Sequence, residues 1–176
     1  FMPIKTIFLD RDGVINIDKN YLYKVDDFEF IDGVFDACLY LSNLNYKIII
    51  ITNQSGIARG YYTETDFKNV NDWMIHQFSL HNINILDTFY CPHSPEDNCL
   101  CRKPKPGMLL KAQKKHAIDM SNSWLIGDKE DDISAANSSG IFNTILVRSG
   151  HKIDESRSKA KYFLDSIHES ISVVSD

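Results

Sequence analysis

The sequence predicts an α/β fold in three layers, a mostly parallel sheet covered by helices on both faces. Short apolar, β-branched runs alternate with stretches of helical period along the chain, the order expected of strand–helix–strand units. The polar clusters fall directly after those apolar runs, and the carboxyl ends of strands are where open α/β sheets bind ligands.

Residues 4–9 (IKTIFL) read as a buried strand that stops at Asp10. Residues 11–32 carry Gly13, several aspartates and tyrosines and no sustained period, so an irregular flap or short hairpin is expected. Val34, Ala37, Cys38, Leu41 and Leu44 keep helical spacing. KIIII at 47–51 is a second strand, running into the polar TNQSG. Thr63 opens a helix on which Phe67, Val70, Met74 and Phe78 recur every three or four residues. ILDTFY at 85–90 is a third strand, and the proline-rich stretch from Cys91 to Gly107 a structured loop. Beyond it the pattern predicts a helix from Met108 to about His116, a strand at 123–127 and a short helix at 131–139. A strand at 142–147, an edge strand at 161–164 and a final helix from near Asp165 complete the order.

A chain of 176 residues fits one domain. Met2 reads as its natural start, giving a domain of 2–176 into which a loop at 91–103 is inserted. The net charge of −5 argues against a nucleic-acid footprint, which needs clustered positive charge. No apolar run approaches the roughly eighteen residues that span a bilayer, so no membrane partner is expected. A monomer acting on a small anionic substrate fits this balance. Cys91, Cys99 and Cys101 crowd one segment while Cys38 stands apart, which suits metal ligation in a reducing compartment, the cytoplasm, better than a disulfide framework.

FLDRDG puts Asp10 and Asp12 two residues apart after the first strand, with Gly13 free to turn the backbone behind them. One carboxylate can attack phosphorus and form an acyl-phosphate. The other can protonate the leaving oxygen and then activate water. Mg²⁺ is required, since crowded carboxylates repel a phosphate dianion. Taken alone, the pair could equally cap a turn or hold a structural cation.

TNQSG offers the Thr52 hydroxyl and a turn of backbone N–H groups to a phosphoryl oxygen, though it also reads as a polar turn. RKPKPG supplies Arg102 and Lys103, for a second anion and for the transferring group respectively, or else a solvated basic loop. GDKEDD offers Asp128 as a metal ligand, Lys129 as an anion contact and Asp132 as an orienter, or simply an acidic helix start. The order and placement of all four clusters after successive strands favour the chemical reading.

That order closely resembles the haloacid dehalogenase superfamily of phosphotransferases. FLDRDGVIN, DKNY, FEFIDGV, ITNQSGIARG, CPH…CxCRKPKPG and GDKEDDI extend the resemblance from about Ile4 to Gly150. Together they are similar to the D-glycero-D-manno-heptose 1,7-bisphosphate 7-phosphatases and to their relative, the histidinol-phosphate phosphatase domain. The resemblance implies a Rossmann-like haloacid dehalogenase fold with no large cap domain. It implies Asp10 as nucleophile, Asp12 as general acid/base, Thr52 and Lys103 as stabilisers of the phosphoryl group, and Arg102 as a substrate contact. Asp10, the Asp12 carbonyl and Asp128 would hold Mg²⁺. Asp18, Lys19, Asn20, Tyr21, Asn53, Gln54, Ser55 and Lys129 correspond to substrate-contacting positions. The implied reaction removes the 7-phosphate of the heptose bisphosphate, with the β anomer expected, in the making of nucleotide-activated heptose for lipopolysaccharide core.

Cys91, His93, Cys99 and Cys101 supply three thiolates and an imidazole, a closed tetrahedral set for structural Zn²⁺. The ion would tie down a loop with little core of its own, directly before Arg102 and Lys103. The spacing between His93 and Cys99 is shorter than is typical of the family, a departure that bears on the anomer. The other histidines, His151 among them, and Tyr61 and Tyr62 read as surface or packing residues. The alternatives are a histidinol-phosphate phosphatase and, in a different class, a non-catalytic zinc-stabilised binding module. The module has no need of the acidic set.

Overall fold

A computed structural model describes residues 2–176. Six parallel strands form one sheet: β1 (Thr6–Leu9), β2 (Lys47–Asn53), β3 (Ile85–Cys91), β4 (Trp124–Gly127), β5 (Asn143–Val147) and β6 (Tyr162–Leu164), in the order β3-β2-β1-β4-β5-β6. Four helices connect them: α1 (Val34–Asn43), α2 (Glu64–Leu80), α3 (Gly107–His116) and α4 (Glu130–Ser138).

Alternation along the strands builds two cores. Ile7, Leu9, Ile48, Ile50 and Ile126 face α1 and α2, packing with Val34, Leu41, Met74 and Phe78. Phe8, Ile49, Ile51, Leu125 and Leu146 face α3 and α4, packing with Leu109, Ala112, Ile133 and Ala136. Both faces of the central strands are therefore apolar, which is why they read as unbroken apolar runs rather than as alternating ones.

The order also fixes the site. The chain winds from β1 outward to β3, then crosses to β4 on the other side of β1 and winds outward again. The direction reverses between β1 and β4, so a crevice opens beyond their carboxyl ends. Asp10 leaves β1 at that point, its N–H donating to Ile126 O at 3.1 Å, and Asp128 leaves β4 beside it.

Local sequence positions the loops over this crevice. Thr63 and Asp66 form a capping box that starts α2, and Gln54 N and Ala58 N donate to Cys91 O and Pro92 O, at 2.7 and 3.1 Å, joining that loop to the cysteine loop. Gly13 sits at φ +90, and a Cβ there would collide with the Asp128 carboxylate, so the turn behind Asp12 requires glycine. One expected element differs. The segment after Asp165 is a six-residue 3₁₀ turn, Ile167–Ser172, rather than an α-helix. Two serines and two β-branched isoleucines within IHESIS give little helical propensity, and burial of Ile167 and Ser170 on α1 fixes the shorter form.

Candidate active site

The four strand-end clusters meet in one cleft of ≈220 Å³. Asp10, Asp12, Asn53, Gln54, Ser55, Arg102, Lys103 and Lys129 line it, together with Asp18, Asn20 and Tyr21 from the flap.

Lys103 is the hub. It is 3% exposed, and its Nζ donates to Asp10 Oδ1 at 3.0 Å and Ile51 O at 3.1 Å and pairs with Asp132 Oδ1 at 2.6 Å. Its backbone is clamped by Asn53, whose Nδ2 donates to Lys103 O at 3.2 Å while Oδ1 accepts from Lys103 N at 3.1 Å. Burial works against the charge of Lys103, but the Asp10 and Asp132 carboxylates outweigh it and hold the ammonium above the ordinary lysine value. The cation is thus built in.

Asp10 accepts on Oδ1 from Arg11 N at 2.9 Å as well as from Lys103. Burial pushes its pKa up, Lys103 pulls it back, and Asp128 and Asp12 push again, leaving it at about 7. Burial, with Asp132 beside it, raises Asp128 to about 6. Asp12 behaves oppositely. Burial raises it, but Arg11, Asn16 and Gln54 together lower it below the ordinary aspartate value. Arg11 Nη2 donates to Asp12 Oδ1 at 3.0 Å, Asn16 Nδ2 to the same oxygen at 3.0 Å, and Gln54 Nε2 to Oδ2 at 3.2 Å.

Asp10, Asp128 and Asp132 offer oxygens within 4.8 Å of one another. Asp132 is already committed: Oδ1 meets Lys103, and Oδ2 accepts from Asp128 N and Lys129 N at 3.1 and 3.2 Å. It orients the Asp128 turn, the role the sequence suggests for it. Asp128 Oδ1, by contrast, is buried with no hydrogen-bond partner. A buried carboxylate oxygen without a donor, amid three carboxylates and one ammonium, fits a hard divalent cation.

Cys91, His93, Cys99 and Cys101 also converge within 4.8 Å. His93 Nδ1 lies 3.5 Å from Cys91 Sγ and 3.3 Å from Cys101 Sγ, and Cys91 Sγ lies 3.5 Å from Cys99 Sγ. Cys101 Sγ lies 2.9 Å from Cys91 Sγ; three thiols and an imidazole gathered this closely are the donor set of a structural zinc site. All four cysteines are free thiols.

Two expected contacts fall elsewhere. Lys19 is exposed and reaches Glu29 Oε1 at 3.5 Å. Thr52 is 1% exposed, below the cleft wall, and its hydroxyl accepts from Gln54 Nε2 at 2.8 Å. Arg59 lines the cleft from the 58–62 loop, which the sequence reading expects to help set specificity, while Asp131 and His151 line it without a signal in that reading. Tyr62, read as packing, also lines it, and its hydroxyl donates to Gln54 Oε1. His151 follows the fifth strand as SGH, and the rule applied to four strand ends would have found it at the fifth.

Comparison with known proteins agrees with this geometry. The family model described as HAD-hyrolase-like matches residues 100–172. The chain is 51% identical, over 86% of its length and 87% of the relative's, to the D-glycero-alpha-D-manno-heptose-1,7-bisphosphate 7-phosphatase of Campylobacter jejuni. The chain belongs to the heptose-1,7-bisphosphate 7-phosphatase family. Its place among the haloacid dehalogenase phosphatases accounts for the topology and the strand-end clusters together. A beta-named member of the family, from Pasteurella multocida, is 44% identical over 93% of the chain and 92% of its own length. Among solved structures, the D,D-heptose 1.7-bisphosphate phosphatase from B. bronchiseptica, complexed with magnesium and phosphate, matches with a TM-score of 0.85. That likeness covers 97% of both chains at 28% identity.

Proposed function

We propose that this chain is a Mg²⁺-dependent phosphatase that removes the 7-phosphate of D-glycero-D-manno-heptose 1,7-bisphosphate through an Asp10 acyl-phosphate. The observation that carries the reading is Asp10 itself, held on Oδ1 by Lys103 Nζ and Arg11 N at the floor of the cleft. Attack on phosphorus forms the acyl-phosphate and breaks the bond to the sugar O7, which takes a proton from Asp12. Asp12 then takes a proton from water, which attacks the same phosphorus, releases inorganic phosphate and restores Asp10. The Arg11 guanidinium favours the ionised Asp12 that this second step needs. Lys103 neutralises charge on the transferring group, and it needs no rearrangement to do so. Asp10, Asp128 and the Asp12 carbonyl would hold Mg²⁺, which supplies the further positive charge that lets a carboxylate meet a phosphate dianion.

Arg102, Lys129 and Arg59 give the cleft cations for a second phosphate despite the net charge of −5. Flap residues Asp18, Asn20 and Tyr21, with Asn53, Gln54 and Ser55, supply polar contacts for the sugar. Thr52 supports the phosphoryl site from below, through Gln54. Zn²⁺ on the four-ligand loop fixes Arg102 and Lys103. Thiols gathered as metal ligands suit a cytoplasmic step in lipopolysaccharide precursor synthesis; among the described residues no helix is long and apolar enough to cross a membrane.

The β anomer is the sequence expectation, and relatives named for it share 41 to 44% identity. A second reading, the α anomer, is favoured by relatives named for that form at 51 and 46%. Phosphate release from both anomers and from histidinol phosphate, each with Mg²⁺, tests the proposal. Turnover of either heptose at a kcat/KM at least about tenfold above histidinol phosphate supports it, and a preference for histidinol phosphate overturns it.

A further inference from the structure

We infer that His151 is a positioning residue for the divalent-cation site, orienting the Asp128 carboxylate and tying it to the flap. The inference rests on the Mg²⁺-dependent reading above. His151 Nδ1 lies 2.6 Å from Asp128 Oδ2, and its Nε2 lies 3.3 Å from Asp18 Oδ2. The two oxygens of Asp128 therefore differ in environment: Oδ2 is taken by the imidazole, while Oδ1 is buried and free of partners. A carboxylate pinned on one oxygen presents the other in a fixed direction, which is how groups behind metal ligands raise affinity.

The backbone leaves little slack around this contact. A Cβ at Gly150 would collide with Asp128 Oδ2, so the loop after β5 lies directly against the carboxylate. Ser149 Oγ donates to Gly13 O at 2.8 Å, fastening the same loop to the turn behind Asp12. His151 thus arrives from β5, at the far side of β4 from the nucleophile, and closes a line from flap to cation ligand: Asp18, His151, Asp128. Flap position and metal affinity are coupled through one ring. The ring side chain is 43% exposed, so it contributes little to the core and can be altered without opening a cavity.

The test is Mg²⁺ binding by titration calorimetry to the zinc-loaded protein, with no substrate present. Wild type should bind and Asp128→Asn should not; a wild type that binds no Mg²⁺ refutes the cation reading itself and with it this inference. Given wild-type binding, His151→Ala should weaken Mg²⁺ about 10- to 100-fold. His151→Asn, which keeps a donor near the Nδ1 position, should recover most of that loss. Thermal midpoints without Mg²⁺ should stay level across wild type and the two His151 variants. Mg²⁺ affinity of His151→Ala within about threefold of wild type overturns the inference. Equal losses in the Ala and Asn variants overturn it as well, since packing rather than the hydrogen bond would then be responsible.

Discussion

At the scale of residues, two aspartates two positions apart are given opposite characters by their neighbours. Asp10 faces Asp128 and Asp132 in a buried cluster, and burial with its like charges holds its pKa near 7 despite Lys103. For Asp12 burial works upward, but Arg11, Asn16 and Gln54 outweigh it and set its pKa below the ordinary aspartate value. Asp10→Asn should fold, because it relieves like-charge crowding and Lys103 keeps Asp132. It should lose at least about 10³-fold in kcat, and activity in that variant would remove Asp10 as nucleophile. Arg11 is 1% exposed between the Phe28 and Phe67 rings, with Nη2 also reaching Leu22 O at 3.4 Å. Arg11→Lys keeps charge but loses the fork that grips Asp12. We expect a kcat loss of tenfold or more and a stability loss of about 1–3 kcal/mol in urea melts. The acidic pair, Lys103 and Asp128 are legible in sequence because each directly ends a strand or follows a proline-framed loop. Arg11 is not, since a charged residue between two aspartates gives no sign that it is buried.

At the scale of elements, the strands and α1 to α4 are legible because the buried sheet demands continuous apolar runs and each helix one apolar face. The final 3₁₀ turn is not, because packing on α1 rather than propensity decides it. The cysteine loop joins β3 to α3 and carries Arg102 and Lys103 straight after its last ligand. Elemental analysis should find about one zinc per chain, by the four-ligand rule. Cys99→Ser should lose it, become cleavable in the 91–107 loop and fall about tenfold or more in kcat; full activity without zinc would refute the role given to the loop. At the other end of β3, Asp87 Oδ2 meets Lys115 Nζ and His116 Nε2 at 2.7 Å each, tying the strand to the end of α3. Burial raises the Asp87 pKa, but these partners outweigh it and hold it below the ordinary aspartate value. A folded pKa below the unfolded one adds stability that is present above the unfolded value and lost as pH falls through the folded value. Asp87→Asn should therefore be less stable than wild type near pH 6, with the gap narrowing as pH falls into the acid range below the ordinary aspartate value, as read by urea unfolding.

At the scale of the whole molecule, the reversal of strand order between β1 and β4 brings together residues as far apart in sequence as Asp10 and Asp128. Sequence conveys this because alternating strands and helices leave few topologies, and in all of them the carboxyl ends share one edge. It does not convey which flap residues reach the cleft: Lys19 turns to Glu29 while Asp18, Asn20 and Tyr21 line the wall, with Asn20 and Tyr21 at positive φ. Loop geometry of that kind is set by tertiary contacts, not by local pattern. The chemistry nevertheless depends on one covalent event. Acid-quenching the protein during turnover of heptose bisphosphate with Mg²⁺, reducing with borohydride and mapping peptides by mass spectrometry reads that event directly. The account predicts conversion of Asp10 to homoserine, dependent on substrate and on Mg²⁺. Reduction at another carboxylate, or none at all in protein caught turning over, would contradict it.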